Sequence, residues 1–251
     1  MTWSILARDA DGNFGIAIAS KFFAVGALCL HTRRGVGAVA TQALINPSYG
    51  QAGLDLLSAG HSAAEVVRSL TGADSGREHR QLHVLPASGA GAAHTGAVCV
   101  DWCGQRVFDG FSVAGNMLAG AAVIEATAQA YRNATTAGLP LAERLIAAMV
   151  AGEAAGGDKR GKQSAALRIH GAQDHVDLDL RADDHAAPLA ELQRLYDQSL
   201  ERFQPFVSCL AGHDGSDGNG KVRARHPGLT DRDAIEARIT AFHAARQATR
   251  R

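Results

Sequence analysis

The sequence predicts a four-layer α-β-β-α sandwich, in which two antiparallel sheets pack face to face with helices outside. Three observations predict it. Strand-like and helix-like segments come in blocks: strands, two helices, strands, two helices, two strands, a helix. A parallel βαβ repeat would alternate singly, so a doubly wound sheet is the second choice. The strand-like runs TWSILAR (2–8) and FGIAIAS (14–20) are apolar on both faces, as strands covered on two sides must be. Finally, 28 glycines and only 5% aromatic residues suit close packing of small side chains.

Residues 2–8 and 14–20 read as a hairpin around Asp11-Gly12, and GVGAVATQA (35–43) as a third strand. Pro47 to Ala59 reads as a helix closed by Gly60, and Ser62-x-x-Glu65 is a capping box starting a second helix through about Leu70. Strands return as RQLHVLP (80–86), AAHTGAVCVDW (92–102), QRVF (105–108) and FSVAG (111–115). Two helices follow, about 120–134 and 139–151. Leu141, Leu145 and Met149 share one face of the second, and Gly152 reads as its C-cap. The polar glycine loop 153–163 leads to strands SAALRIH and HVDLDLR, and a helix from Pro188 to Phe203 closes a domain spanning 1–203. Residues 204–251 form a carboxyl-terminal extension. In it GHDGSDGNGK (212–221) reads as a linker, and Thr230 with Asp233 caps a short helix bearing Ile235, Ile239 and Phe242 on one face.

Lys+Arg and Asp+Glu are 25 each, which argues against nucleic acid or an acidic membrane surface as partner. No apolar run reaches transmembrane length and no secretory leader is recognisable, so a cytoplasmic protein is expected. The four cysteines form no CxxC pair. His79 and His83 are four apart, but on a strand; without HExxH or a third ligand they give no metal site. Gly35-Val-Gly37-Ala-Val-Ala40 precedes a strand-like run and lacks the acidic partner of a dinucleotide fingerprint. GxSxG is absent, and Lys221 with Val222 breaks the calcium-loop pattern of 212–221.

The amino terminus carries the chemistry. With a two-residue turn at Asp11-Gly12, Thr2 lies opposite Lys21 and Trp3 opposite Ser20, with facing Cβ atoms roughly 5 Å apart. A slip of one residue pairs Trp3 with Lys21, which keeps the ammonium near the chain end. Met1 precedes a small residue, the condition for removal of initiator methionine. The mature chain would then begin at Thr2, with a hydroxyl and a free α-amine on one residue. An α-amine of pKa roughly 7.7–8 takes the hydroxyl proton and activates Oγ for attack on an amide. A neighbouring Lys21 lowers the amine's pKa and stabilises developing negative charge.

"MTWSILARDADGNFGIAIASKFFAVGA", "GVGAVATQALINPSYG", "GREHRQLHVL", "AAHTGAVCVDWCGQR", "FSVAGNMLAG" and "AGGDKRGKQSAAL" together closely resemble the bacterial domain of unknown function 1028 family, classed on fold with the N-terminal-nucleophile hydrolases. The resemblance covers roughly residues 1–200 in six ordered blocks. It implies the α-β-β-α sandwich and makes Thr2 the candidate nucleophile, without supplying a substrate. The peptidoglycan-binding module that ends some relatives has no counterpart in 204–251, so no cell-wall role is carried over.

Further residues complete the expected site. Asn116, at a strand end, is an oxyanion donor or part of a Gly-Asn turn. In GGDKRGKQSAAL, Asp158, Arg160, Gln163 and Ser164 are expected at a substrate, with Asp158 or Ser164 holding the terminal amine; a solvated loop is the alternative. His94 is a satisfied core histidine or lines the pocket. The expected function is cleavage of a small amide or ureide-like compound by Thr2, aided by Lys21 and Asn116, with water resolving the acyl-enzyme and no metal or organic cofactor. The alternative is a non-catalytic module of the same fold that binds a small ligand or assembles. Small-residue packing suggests a homodimer.

Overall fold

Period-two side-chain alternation sorts each strand's residues between two different cores, and this builds the layers. In the computed structural model, residues 2–213 and 225–249 are described. Met1 and most of the expected linker lie outside them. β1 (Thr2–Arg8), β2 (Phe14–Ser20), β7 (Gly104–Phe108), β8 (Phe111–Asn116), β9 (Ser164–His170) and β10 (Leu178–Ala182) form an antiparallel sheet of order β10-β9-β2-β1-β8-β7. β3 (Leu30–Arg33), β4 (Gly37–Ala43), β5 (Arg80–Pro86) and β6 (Ala92–Thr95) form a second antiparallel sheet in sequence order.

On β1, Trp3, Ile5 and Ala7 turn outward into a core shared with α4 (Ala121–Thr136), α5 (Leu141–Ala154) and α6 (Pro188–Glu201). Leu6 turns inward and meets Ile16, Ile18, Ala38, Ala40 and Leu85 between the sheets. Val39, Leu82 and Val84 of the second sheet pack under α2 (Ser48–Ser58) and α3 (Ala63–Gly72). The predicted four-layer α-β-β-α sandwich is the fold. The capping box forms as read, with Ser62 Oγ accepting from the Glu65 N–H and the Glu65 carboxylate accepting from the Ser62 N–H.

Several local expectations are corrected. The first hairpin has no two-residue turn. Arg8 pairs with Phe14 and Thr2 with Ser20, so residues 9–13 form the loop and Lys21 lies beyond the register. The reason is Asp9: its carboxylate accepts from the Asp11 N–H, the Asn13 N–H and Asn13 Nδ2, while Gly12 takes φ 82°. The helical turn α1 (Gly26–Cys29) and β3 were not anticipated, since four-residue elements carry too little periodicity to read. The strand expected over 92–102 ends at Thr95. Gly96 packs where a Cβ would stand 2.3 Å from the Glu78 carbonyl oxygen, and the chain turns away.

Gly152 is not a C-cap, because α5 continues to Ala154. A Cβ there would lie 2.3 Å from Thr127 Oγ1 and 2.8 Å from Trp3 Nε1. Its role is close approach. In the extension, α7 (Phe203–Val207) is followed by the small hairpin β11 (Gly212–His213) and β12 (Arg225–His226), then α8 (Arg232–Thr249). Asp231, rather than Thr230, accepts the Ala234 N–H at the start of α8. α8 docks on the main body: Ile239 is buried, Phe242 packs on the outer core, and Arg246 pairs with Glu143 at 3.4 Å. Among the described residues, no helix is long and apolar enough to cross a membrane.

Candidate active site

Strand register sets four polar residues in one row across the larger sheet. Asn116 pairs with Thr2, Thr2 with Ser20, and Ser20 with Ser164. Directly paired residues share a face, and this row faces the second sheet, as Leu6 does four residues further along. Thr2, the first residue of an interior strand, is 5% exposed and its Oγ1 lies 3.1 Å from Ser20 Oγ. Asn116 Nδ2 donates to Gln81 Oε1 at 2.9 Å and leans toward the Thr2 carbonyl oxygen at 3.5 Å.

The glycine loop between α5 and β9 is carried to this end of the sandwich by backbone pairing. The Ala119 N–H donates to the Gly157 carbonyl, and Leu118 bridges to Asp158. The Asp158 carboxylate is fully enclosed and accepts from the Lys21 N–H at 2.9 Å and the Arg160 N–H at 2.8 Å. The Arg160 guanidinium approaches the same carboxylate at 3.4 Å. Ser164 Oγ donates to the Phe22 carbonyl and accepts from the Val25 N–H, which fixes the chain after β2. Ala24, Ala43 and Met117 adopt left-handed φ of 49°, 68° and 53°. Ala43 and Met117 directly follow Gln42 and Asn116. Such strain in non-glycine residues persists where surrounding structure over-determines the backbone, commonly at functional sites.

The sequence profile of a family of unknown function, DUF1028, matches residues 2–192. The chain belongs to the DUF1028 family. The crystal structure of protein SPO2555 from Silicibacter pomeroyi, titled as DUF1028, is 32% identical, covers 81% of this chain and 91% of its own, and superposes with TM-score 0.74. Anbu, the ancestral beta-subunit from Yersinia bercovieri, is 13% identical over 79% of this chain and 94% of its own, with TM-score 0.34, too loose a likeness to bear on this chain. No curated protein matches it.

In this DUF1028 protein the structure gathers Thr2, Asn116, Asp158 and Ser164 at one end of the sandwich. Lys21 reaches the cluster through its backbone N–H only; its exposed ammonium is 3.4 Å from the Lys162 carbonyl oxygen. The Lys21–Thr2 pairing expected from the two-residue turn does not form. Gln163 donates its N–H to the Ser20 carbonyl but turns its amide outward to Asp184. His94 pairs with Leu82 on the helix-covered face, with Nε2 3.0 Å from the Arg77 carbonyl oxygen, so it is off the site.

What the sequence reading missed lies between the sheets. Ser4, Gln42, Gln81 and His83 are fully buried and hydrogen-bonded to one another in a chain. Ser112, equally buried, is 2.8 Å from His83 Nδ1. Burial lowers the His83 pKa to about 3, so the ring is neutral at physiological pH. The signal was present: in RQLHVLP, Gln81 and His83 alternate with apolar residues, marking one polar face of a strand.

Proposed function

We propose that this protein is an amide hydrolase of the N-terminal-nucleophile kind, with Thr2 as nucleophile once Met1 is removed. The observation that carries this reading is the position of Thr2: first residue of an interior strand, side chain facing between the sheets, beside Ser20 and Asn116. A nucleophile that carries its own base must sit at a chain end and be held rigidly; β1 holds Thr2, and removal of Met1 would supply the chain end.

In the proposed reaction the α-amine of Thr2 accepts the Oγ proton as Oγ bonds to the substrate's carbonyl carbon. The carbonyl oxygen takes up the electron pair and the Asn116 amide supports its charge. Collapse breaks the C–N bond, and the proton leaves with the amine. Water then attacks the Thr2 ester, releasing a carboxylic acid and restoring the hydroxyl. Asp158 braces the Lys21 and Arg160 backbone around this centre, and Arg160, half-exposed, is placed to meet an acidic substrate group. The small amide substrate is inferred from the chain's neutral balance.

Intact mass of protein from its native host tests the first step, with loss of Met1 expected. A retained methionine overturns the mechanism and favours a binding module on this fold. With Met1 gone, Thr2→Ala should abolish turnover across a panel of small amides. Unchanged turnover would place the nucleophile elsewhere.

A further inference from the structure

The buried polar chain between the sheets has a direction, and two backbone carbonyls impose it. Gln81 Nε2, with two hydrogens, faces three acceptors: Thr95 Oγ1 at 2.8 Å, the Gly115 carbonyl at 2.9 Å and, sharing one of those hydrogens, the Gly104 carbonyl at 3.2 Å. Carbonyls only accept, so the Gln81 amide cannot flip, and its Oε1 must face Gln42 and Asn116. Both present N–H groups to it, at 2.7 Å and 2.9 Å. A flipped Gln81 would set its own N–H groups against two donors in a dry core, leaving buried groups unpaired.

The constraint propagates. Gln42, having turned its Nε2 to Gln81, offers Oε1 to Ser4, whose hydroxyl donates at 2.7 Å. Ser4 has then spent its only proton, so its 2.9 Å contact with His83 Nε2 requires a proton on that nitrogen. The neutral ring therefore carries its hydrogen on Nε2, and Nδ1 accepts from Ser112 at 2.8 Å. Each amide and hydroxyl along the chain has one allowed orientation.

We propose that Gln81 is a positioning residue of the Thr2 site: held by the carbonyls of Gly104 and Gly115, it aims the Asn116 amide at Thr2, while Gln42, Ser4 and His83 form the other branch of the same one-way chain. Asn116 is the end of its own branch from Gln81, and its Nδ2 is committed to the direction that the carbonyls of Gly104 and Gly115 dictate. Gln81 does not touch a substrate bound at Thr2. It acts through Asn116.

Two measurements test this, and only one rests on the hydrolase reading. Nitrogen NMR of the full chain near neutral pH should show His83 as the Nε2–H tautomer, in wild type and in Thr2→Ala alike. An Nδ1–H tautomer or an imidazolium overturns the directed chain. For the second, p-nitrophenyl acetate serves as acylating probe, read as hydroxylamine-sensitive acetylation of Thr2 well below each variant's unfolding midpoint. Gln81→Met should slow acetylation on the order of a hundredfold, the scale for misplaced catalytic groups. His83→Gln, which keeps an N–H toward Ser4 on the other branch, should acetylate near the wild-type rate. A folded Gln81→Met protein at the wild-type rate overturns the positioning role, as does a loss in His83→Gln equal to that in Gln81→Met. If wild-type Thr2 is not acetylated at all, the hydrolase reading fails by itself, and the tautomer still decides the direction of the chain.

Discussion

His83 makes an acid-sensitivity prediction at the scale of a single side chain. Its folded pKa of about 3 lies below the ordinary value of 6.5, because burial penalises the charged ring. The unfolded chain therefore takes up a proton in a range where the folded chain does not. Stability is unaffected by this group above about pH 6.5 and falls as pH drops from there toward 3, at about 1 kcal/mol per pH unit. Urea unfolding of wild type and His83→Gln across this window should show the slope in wild type and its reduction in the variant. Trp3 makes another. Its indole lies against Gly152 and Gly157, and its Cβ against Gly115, where added Cβ atoms would stand 2.8, 3.3 and 3.0 Å from Trp3 atoms. Gly152→Ala is expected to cost about 1–3 kcal/mol through overpacking, measurable as a lower denaturant midpoint. Nothing in the one-dimensional pattern separates that glycine from a helix cap; only the partner across the interface does.

At the scale of elements, legibility followed side-chain periodicity. The two-faced apolar pattern of β1 and β2 and the Ser62–Glu65 box were readable because local sequence decides them. The hairpin register was not, because it hangs on one carboxylate gathering three donors in the 9–13 loop, outside the strands themselves. Asp9→Ala should therefore cost about 0.5–1.5 kcal/mol, the net scale of a solvent-accessible hydrogen bond, and loosen amide-exchange protection at the loop before it reaches Thr2 and Ser20. Unaltered protection and stability would show that the strands alone fix the register. Asp158 was legible as a functional candidate through its glycine-rich setting, whereas His94 misled, since one residue along a strand reverses the face it serves.

At the scale of the molecule, α5 links two distant regions. Its first turn carries Glu143, which receives Tyr196 Oη at 3.1 Å and Arg246 of α8 at 3.4 Å. Its last turn carries Gly152, against Trp3. The two lie about 14 Å apart along the axis at the usual helical rise. Deleting residues 225–251 should then lower the melting temperature while leaving Thr2 acetylation near the wild-type rate. A collapse of acetylation in a folded truncation would show that the extension supports the site. The sandwich itself was legible because block order and strand patterning both constrain it, while the docking of α8 depends on pairs far apart in sequence.

The glycine cradle around Trp3 also gives the protein a built-in optical probe. The chain holds two tryptophans, and both pack on the helix-covered core behind the candidate site. Trp3 adjoins Thr2, and the Trp102 carbonyl accepts the Leu118 N–H two residues after Asn116. Ultraviolet emission thus reports on the packing behind one end of the sandwich without any attached dye, and Trp102→Phe isolates the signal of the Trp3 indole, which lies across β1 from the Thr2 side chain. Loosening of α5 against β1, as in Gly152→Ala, should shift that emission, so the integrity of the strand that carries Thr2 can be followed by colour of light alone.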